Sequence, residues 1–151
     1  MSARPLFAYG TLRDPDILFA LLGRSLTEAD CVAAAAPGFR AVHFPQRVYP
    51  ALLAAPGAEA HGLLLHGLAP AERALLDAFE GDEYRRGDIA VLTASGPVTA
   101  LAYFATATIP PDAEPWTLLD WTRLHKPAVL AGERQTAAAL RGRLAAREQK
   151  S

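Results

Sequence analysis

The sequence predicts an α+β fold built on a curled, largely antiparallel sheet, and three observations predict it. Strand-like segments crowd the middle of the chain. Few of them are joined through a helix, as parallel crossovers would require. The remaining helical pattern collects near the C-terminal end. With 151 residues and a net charge of −1, a single domain with its own core is expected.

Each element has a local reason. Arg4–Tyr9 is short, apolar and aromatic, and Gly10 ends it, which predicts a first strand. Asp14-Pro15 opens a helix, since Asp caps free amides and Pro fits the first helical position. Ile17, Leu18, Leu21 and Leu22 share one face of that helix, and Gly23 is placed to stop it. Between Ser25 and Pro56 the pattern is mixed. Cys31–Ala36 and Arg40–Phe44 read as strands around a Pro37-Gly38 turn, with one strand and a loop as the alternative. Val48-Tyr49-Pro50-Ala51 reads as extended, because a residue before proline avoids the helical region.

Ala60–Leu68 carries an apolar run between glycines, as a central strand would. Pro70 begins a helix through Phe79, with Ala71, Ala74, Leu75, Ala78 and Phe79 on its inner stripe. Glu80-Gly81 ends it. Tyr84–Thr93 and Val98–Ala105 form a hairpin around Ser95-Gly96-Pro97. After Pro110-Pro111 the chain reads helical, over Trp116–Leu124 and Glu133–Arg147. The expected organisation is one domain over 1–130 with a helical extension over 131–151. That extension, with five basic and two acidic residues from Glu133 onward, reads as a solvated amphipathic helix, a packing or dimer element.

Composition excludes much familiar chemistry. The near-neutral balance argues against a general nucleic-acid binder, whose phosphate contacts need a basic surface. No apolar run is long enough for a membrane span, the start lacks the apolar core of a signal peptide, and Cys31 has no partner for an intrachain disulfide. A soluble cytoplasmic protein, monomeric or homodimeric, is expected. There is no G-x-S-x-G, no H-E-x-x-H, no Cys/His cluster with metal-ligand spacing and no phosphate-cradling glycine motif. Neither a metal nor a cofactor is expected. Cys31, beside valine and alanines, reads as a buried structural thiol. His43, His61, His66 and His125 are isolated and read as structural or surface residues, with His61 and His66 on opposite faces of a strand.

Two constellations remain. Phe7-Ala8-Tyr9-Gly10-Thr11-Leu12 runs from a strand through a glycine loop into a helix. Successive amides in such a turn can form an anion site, although by itself the segment reads first as an ordinary strand-to-helix turn. In Leu76-Asp77-Ala78-Phe79-Glu80-Gly81-Asp82-Glu83-Tyr84-Arg85-Arg86, Glu80 lies beside Phe79, just before a glycine break. Partial desolvation there would raise its pKa toward that of a general base. An acidic residue is also unfavourable at a helix C-terminus, which suggests that something else holds it. The residues leave both readings open: a general base, or the fringe of a helix end. Asp82 and Glu83 are expected in solvent, and Arg86 is expected to pair with Asp88 or Glu83, with a substrate carboxylate as the alternative partner.

Tyr9-Gly10-Thr11-Leu12 followed by Leu76-Asp77-x-Phe79-Glu80-Gly81-x-x-Tyr84-x-Arg86 resembles the γ-glutamylcyclotransferase-like family. The likeness is to its branch of avirulence-induced-gene proteins and γ-glutamylamine cyclotransferases. Tyr49-Pro50-Ala51, Ala60-His61-Gly62-Leu63-Leu64 and the tryptophans Trp116 and Trp121 resemble further segments of it, so that Pro5–Trp121 is covered. The resemblance implies a small mixed β-barrel flanked by helices and an amide-cleaving acyltransferase or lyase that releases 5-oxoproline from a γ-glutamyl compound. It aligns Glu80 with the catalytic acid/base. It aligns Tyr9, Gly10, Thr11 and Leu12 with the substrate loop, and Tyr84 and Tyr103 with further binding residues. The loop lacks the Ser-Asn of glutathione-pathway members, so the resemblance stops short of assigning free γ-glutamyl-amino acids. Such a substrate carries its own nucleophile, the α-amine, which fits a chain poor in nucleophilic side chains. The competing expectation is a non-catalytic module that binds a small acidic metabolite in the same pocket.

Overall fold

The computed structural model describes residues 4–132, 135, 138–140 and 142. Five strands close a barrel: β1 (Leu6–Ala8), β2 (Cys31–His43), β3 (Pro50–Leu65), β4 (Tyr84–Thr93) and β5 (Gly96–Ala105), in the order β1-β3-β2-β4-β5. Every pairing is antiparallel except the closing one, where Leu6 of β1 meets Leu101 of β5 in parallel. The fold is therefore the mixed, largely antiparallel barrel that the resemblance implies. Helices α1 (Pro15–Leu22), α2 (Pro70–Glu80) and α3 (Leu118–Leu124) flank it. Among the described residues, no helix is long and apolar enough to cross a membrane.

The core is double. One cluster unites Phe7 and Tyr9 with Leu64, Ile89, Val91 and alanines 34, 36, 60, 100 and 102. Alanine's small volume suits the narrow bore of a five-stranded barrel, and the interior uses it repeatedly. The other cluster joins Leu6 and Ala8 to Ile17, Leu18 and Leu21 of α1, Leu76 of α2, and the tryptophans. Because side chains alternate along a strand, β1 feeds both clusters and is buried throughout.

Several local expectations hold. The Asp14 side chain caps α1, accepting from the amides of Asp16 at 2.9 Å and Ile17 at 3.2 Å. Gly23 ends α1 in the left-handed conformation at φ 74°. The β4–β5 hairpin forms, with Thr93 opposite Gly96.

Other boundaries differ. Pro37-Gly38 is not a turn between two strands. It is an irregularity within β2, where pairing passes from Pro37 opposite Glu59 to Phe39 opposite Ala54. Gly38 and Gly57 face this step at φ 82° and 85°, a conformation that glycine supplies without strain. Pieces that look separate thus fuse into two long strands. On α2 the inner face is Leu75, Leu76 and Phe79, whereas Ala71, Ala74 and Ala78 are exposed. Three large side chains outweigh three methyl groups in choosing the buried face.

Helix α3 begins at Leu118, after the Thr117 cap, so Trp116 precedes it. Trp116 is instead held by its amide to the Ala41 carbonyl at 3.1 Å and by its indole to the Val48 carbonyl at 2.9 Å. Cys31 is half-buried rather than fully buried. His66 lies beyond β3, so it shares no strand with His61. Residues 126–132 are helical, while most of the expected Glu133–Arg147 helix and of the 131–151 extension lies outside the described residues.

Candidate active site

The Tyr9–Leu12 segment is a corner. After β1, Gly10 takes φ −124° and ψ −135°, and Thr11–Arg13 forms a 3₁₀ turn closed by Arg13 N–H to Gly10 O at 3.0 Å. The amides of Thr11 and Leu12 come before that first intrahelical bond, as at any helix start. Glycine is required at position 10 by a close approach, because a Cβ there would lie 2.6 Å from Pro50 Cγ. Asp14 ends the corner. Its amide donates to the Thr11 carbonyl at 3.0 Å, and its side chain opens α1. Lys126 Nζ stands 3.0 Å from Asp14 Oδ2 and 2.7 Å from Asp16 Oδ2.

The acidic segment forms the facing wall. Helix α2 stops at Glu80 because Gly81 adopts φ 65°, and a short 3₁₀ turn, Gly81–Glu83, delivers Tyr84 to β4. Glu83 does not sit free in solvent. It is half-buried, accepts a hydrogen bond from the Tyr49 hydroxyl and pairs with Arg47 Nε at 3.2 Å. Arg86 takes neither expected partner and lies 3.2 Å from Asp77, because Asp88 is held by Arg4 and Glu83 by Arg47. Asp77 Oδ1 also accepts from the Tyr103 hydroxyl at 2.6 Å. The Tyr84 hydroxyl donates to the Pro50 carbonyl at 2.5 Å, and the Tyr9 hydroxyl donates to the Tyr103 carbonyl.

Between the two walls lies a cavity of about 360 Å³. All seven residues singled out in the sequence line it: Tyr9, Gly10, Thr11, Leu12, Glu80, Tyr84 and Tyr103. So do Tyr49 and Glu83, which makes every tyrosine of the chain a cavity residue. Tyr49 lay within the Tyr-Pro-Ala segment without a role of its own. Its pairing with Glu83 was hidden because they stand 34 positions apart. Trp121, in the aromatic segment, and Val129, which carries no sequence signal, complete the lining and share one packed cluster with Leu12 of the loop.

The electrostatics are one-sided. Among the described lining residues the charged side chains are Glu80, Asp82 and Glu83, and none is cationic. Burial pushes the phenols of Tyr9, Tyr84 and Tyr103 well above the ordinary tyrosine range, and the Glu80 carboxylate pushes each further. Burial, then the bond to Glu83, pushes Tyr49 up to about 12. All four tyrosines are therefore neutral at physiological pH, with hydroxyls committed to protein acceptors. They shape the cavity and position its walls, leaving the carboxylates as its proton acceptors. No group of three or more His, Cys, Asp or Glu residues is arranged to hold a metal among the described residues.

Comparison with known proteins gives a consistent picture. The family model described as γ-glutamyl cyclotransferase, AIG2-like, matches residues 6–138. AIG2-like protein A of Arabidopsis thaliana is 32% identical over 124 residues, covering 80% of this chain and 73% of that protein. AIG2-like protein D of the same plant is 31% identical over 129 residues, covering 83% of each. The solution structure of an Arabidopsis thaliana protein matches with a TM-score of 0.66 and 29% identity, over 87% of this chain and 89% of that one. A structure of γ-glutamyl cyclotransferase matches with a TM-score of 0.51 at 17% identity, over 68% of this chain and 66% of that one, a likeness of fold.

Proposed function

This chain belongs to the γ-glutamyl cyclotransferase, AIG2-like family, and on that premise we propose that its cavity releases 5-oxoproline from a γ-glutamyl amide or amine, with Glu80 as general acid/base. The observation that carries this reading is the meeting of Glu80 with the Gly10–Leu12 corner across one cavity walled by neutral tyrosines. Glu80 accepts a proton from the substrate's α-ammonium. The freed amine attacks the γ-carbonyl carbon, forming the ring C–N bond and a tetrahedral oxyanion. Glu80 returns its proton to the leaving nitrogen, whose bond to carbon breaks on collapse. It then passes on the second proton released by the ring nitrogen, so that the products are neutral-lactam 5-oxoproline and a protonated amine. No protein nucleophile is consumed.

The corner amides of Gly10, Thr11 and Leu12 hold either the α-carboxylate or the developing oxyanion. In the second role one such donor is worth about 10²–10³ in rate. Holding the flexible γ-glutamyl chain in its cyclising conformer supplies several kcal/mol more, up to about 7–11 in favourable intramolecular cases. The three carboxylates and the lack of a described cation in the lining favour the α-ammonium. They disfavour a leaving amine that bears its own carboxylate, so γ-glutamylamines are the better class of substrate.

The test is mass-spectrometric detection of 5-oxoproline from a panel of γ-glutamyl-amino acids, γ-glutamylamines and γ-glutamyl-ε-lysine. Glu80→Gln is expected to abolish turnover while preserving folding and ligand binding. Equal rates for the variant and the wild type would sink the mechanism. Tight binding of a panel member without turnover would move the reading to a binding module.

A further inference from the structure

Asp14 is the one charged residue buried among the described residues, with 5% of its surface exposed. Three structural roles converge on it. Its amide closes the 3₁₀ turn that carries the Thr11 and Leu12 amides, and one carboxylate oxygen caps α1. The other oxygen meets Lys126, whose ammonium is shared with Asp16. A buried carboxylate needs a counter-charge, and here the counter-charge comes from the far end of the domain.

The segment that supplies Lys126 also builds the cavity. Trp121 precedes it and Val129 lies one helical turn beyond it, and both line the cavity in the same packed cluster as Leu12 of the corner. Val129 N–H donates to the His125 carbonyl at 3.0 Å, so Lys126 and Val129 belong to one helical stretch. This wall is not self-satisfied, since the indole Nε1 of Trp121 is buried without a hydrogen-bond partner. An orphaned donor of that kind persists where other contacts fix the position. The choice of residue fits as well. The chain has 13 arginines and two lysines, the second being Lys150. A compact ammonium serves two carboxylates within the first turn of α1, where a planar guanidinium fork would favour one.

We propose that Lys126 is a positioning residue: through Asp14 and Asp16 it locks the Trp121–Val129 wall to the Gly10–Leu12 corner, and so sets the affinity of the cavity for its ligand. The lock joins the two parts at the root of the corner, so releasing it frees both together. The proposal rests on the cyclotransferase reading only for its effect on turnover. Its effect on the corner is a property of the unliganded protein.

The experiment is hydrogen exchange on the full unliganded chain, comparing wild type with Lys126→Met, Lys126→Arg, Asp14→Asn and the Asp14→Asn/Lys126→Met double variant. Asn caps a helix about as well as Asp, so Asp14→Asn removes the charge and keeps the cap. In Lys126→Met, exchange is expected to rise about tenfold in both residues 9–17 and residues 126–132, with the β4–β5 hairpin unchanged. Asp14→Asn should do the same, the double variant should add little to either single change, and Lys126→Arg should recover part of the protection. In the 5-oxoproline assay, KM should rise about tenfold while kcat changes less than about threefold. Faster exchange confined to 126–132, or additive effects in the double variant, would overturn the proposal. Should Lys126→Met fail to fold, Asp16→Asn removes the exposed arm of the lock and must loosen the same two segments. Absence of turnover in the wild type would count against the cyclotransferase reading alone, because the exchange result stands without it.

Discussion

The cavity has two working walls, and they are built on opposite principles. The corner wall, Gly10–Leu12, offers backbone, and its shape is set by one close approach, one 3₁₀ turn and one buried cap. The acidic wall, Glu80–Tyr84, offers side chains, and their positions depend on distant partners: Arg47 and Tyr49 for Glu83, Pro50 for Tyr84. The backbone wall tolerates little at Gly10, where an added atom meets the Pro50 ring. A side-chain wall tolerates shape-preserving changes but responds to changes of charge.

Glycine substitutions should expose that contrast most strongly. A Cβ at Gly62 would lie 2.3 Å from the Ala8 carbonyl oxygen and 2.9 Å from the Phe7 ring. Gly62→Ala should therefore cost about 3 kcal/mol or more in denaturant titration, since backbone must move. Gly10→Ala meets only the Pro50 ring and should cost about 1–3 kcal/mol. It should nevertheless lower turnover about 10²-fold, because it displaces the corner itself. If Gly10→Ala keeps full activity, the corner does not hold the reacting group.

On the other wall, Glu83→Gln keeps an acceptor for Tyr49 and removes the charge. Because Arg47 and Glu83 are substantially exposed, stability should change by less than about 1 kcal/mol. KM for γ-glutamylamines with a cationic leaving group should rise severalfold, and KM for neutral ones should stay nearly constant. A uniform rise for both classes would show that Glu83 only supports shape.

The smallest effect below pH 10 concerns the tyrosines. All four phenols are raised above the ordinary value of 10.0. The stability they contribute is thus complete below about pH 10 and is lost as pH climbs toward the folded-state values, where the unfolded chain ionises first. Ultraviolet titration should show no tyrosinate between pH 6 and 9, then its appearance together with unfolding. A tyrosine ionising in the native protein near pH 9 would contradict the buried, neutral walls.

The same contrast explains what could be read in the sequence. Asp14-Pro15, Gly23, the β4–β5 hairpin and both site motifs are local signals, each carried by a few adjacent residues. The barrel's two longest strands are hard to read because Pro37-Gly38 looks like a turn and the Val48–Ala51 and Ala60–Leu68 segments look separate. Only the pairing of β2 with β3 makes Pro37-Gly38 an irregularity within a continuous ladder. The inner stripe of α2 is illegible at Ala71, Ala74 and Ala78, because alanine is compatible with either face. The surroundings of Glu83 and the partner of Arg86 are not legible locally, because Tyr49, Arg47 and Arg4, which engage Glu83 and Asp88, come from residues far along the chain. Backbone chemistry is local and legible, whereas pairing between side chains is decided by the fold.

Pro50 belongs to both walls at once. Its ring occupies the space that a side chain at position 10 would need, and its carbonyl holds the Tyr84 hydroxyl. The two positions therefore form an epistatic pair, in which a small residue at 50 makes room for alanine at 10. Position 50 is also a dial for redesign, by which the gap between the walls can be widened for bulkier leaving groups while the proposed acid/base and the corner amides stay untouched.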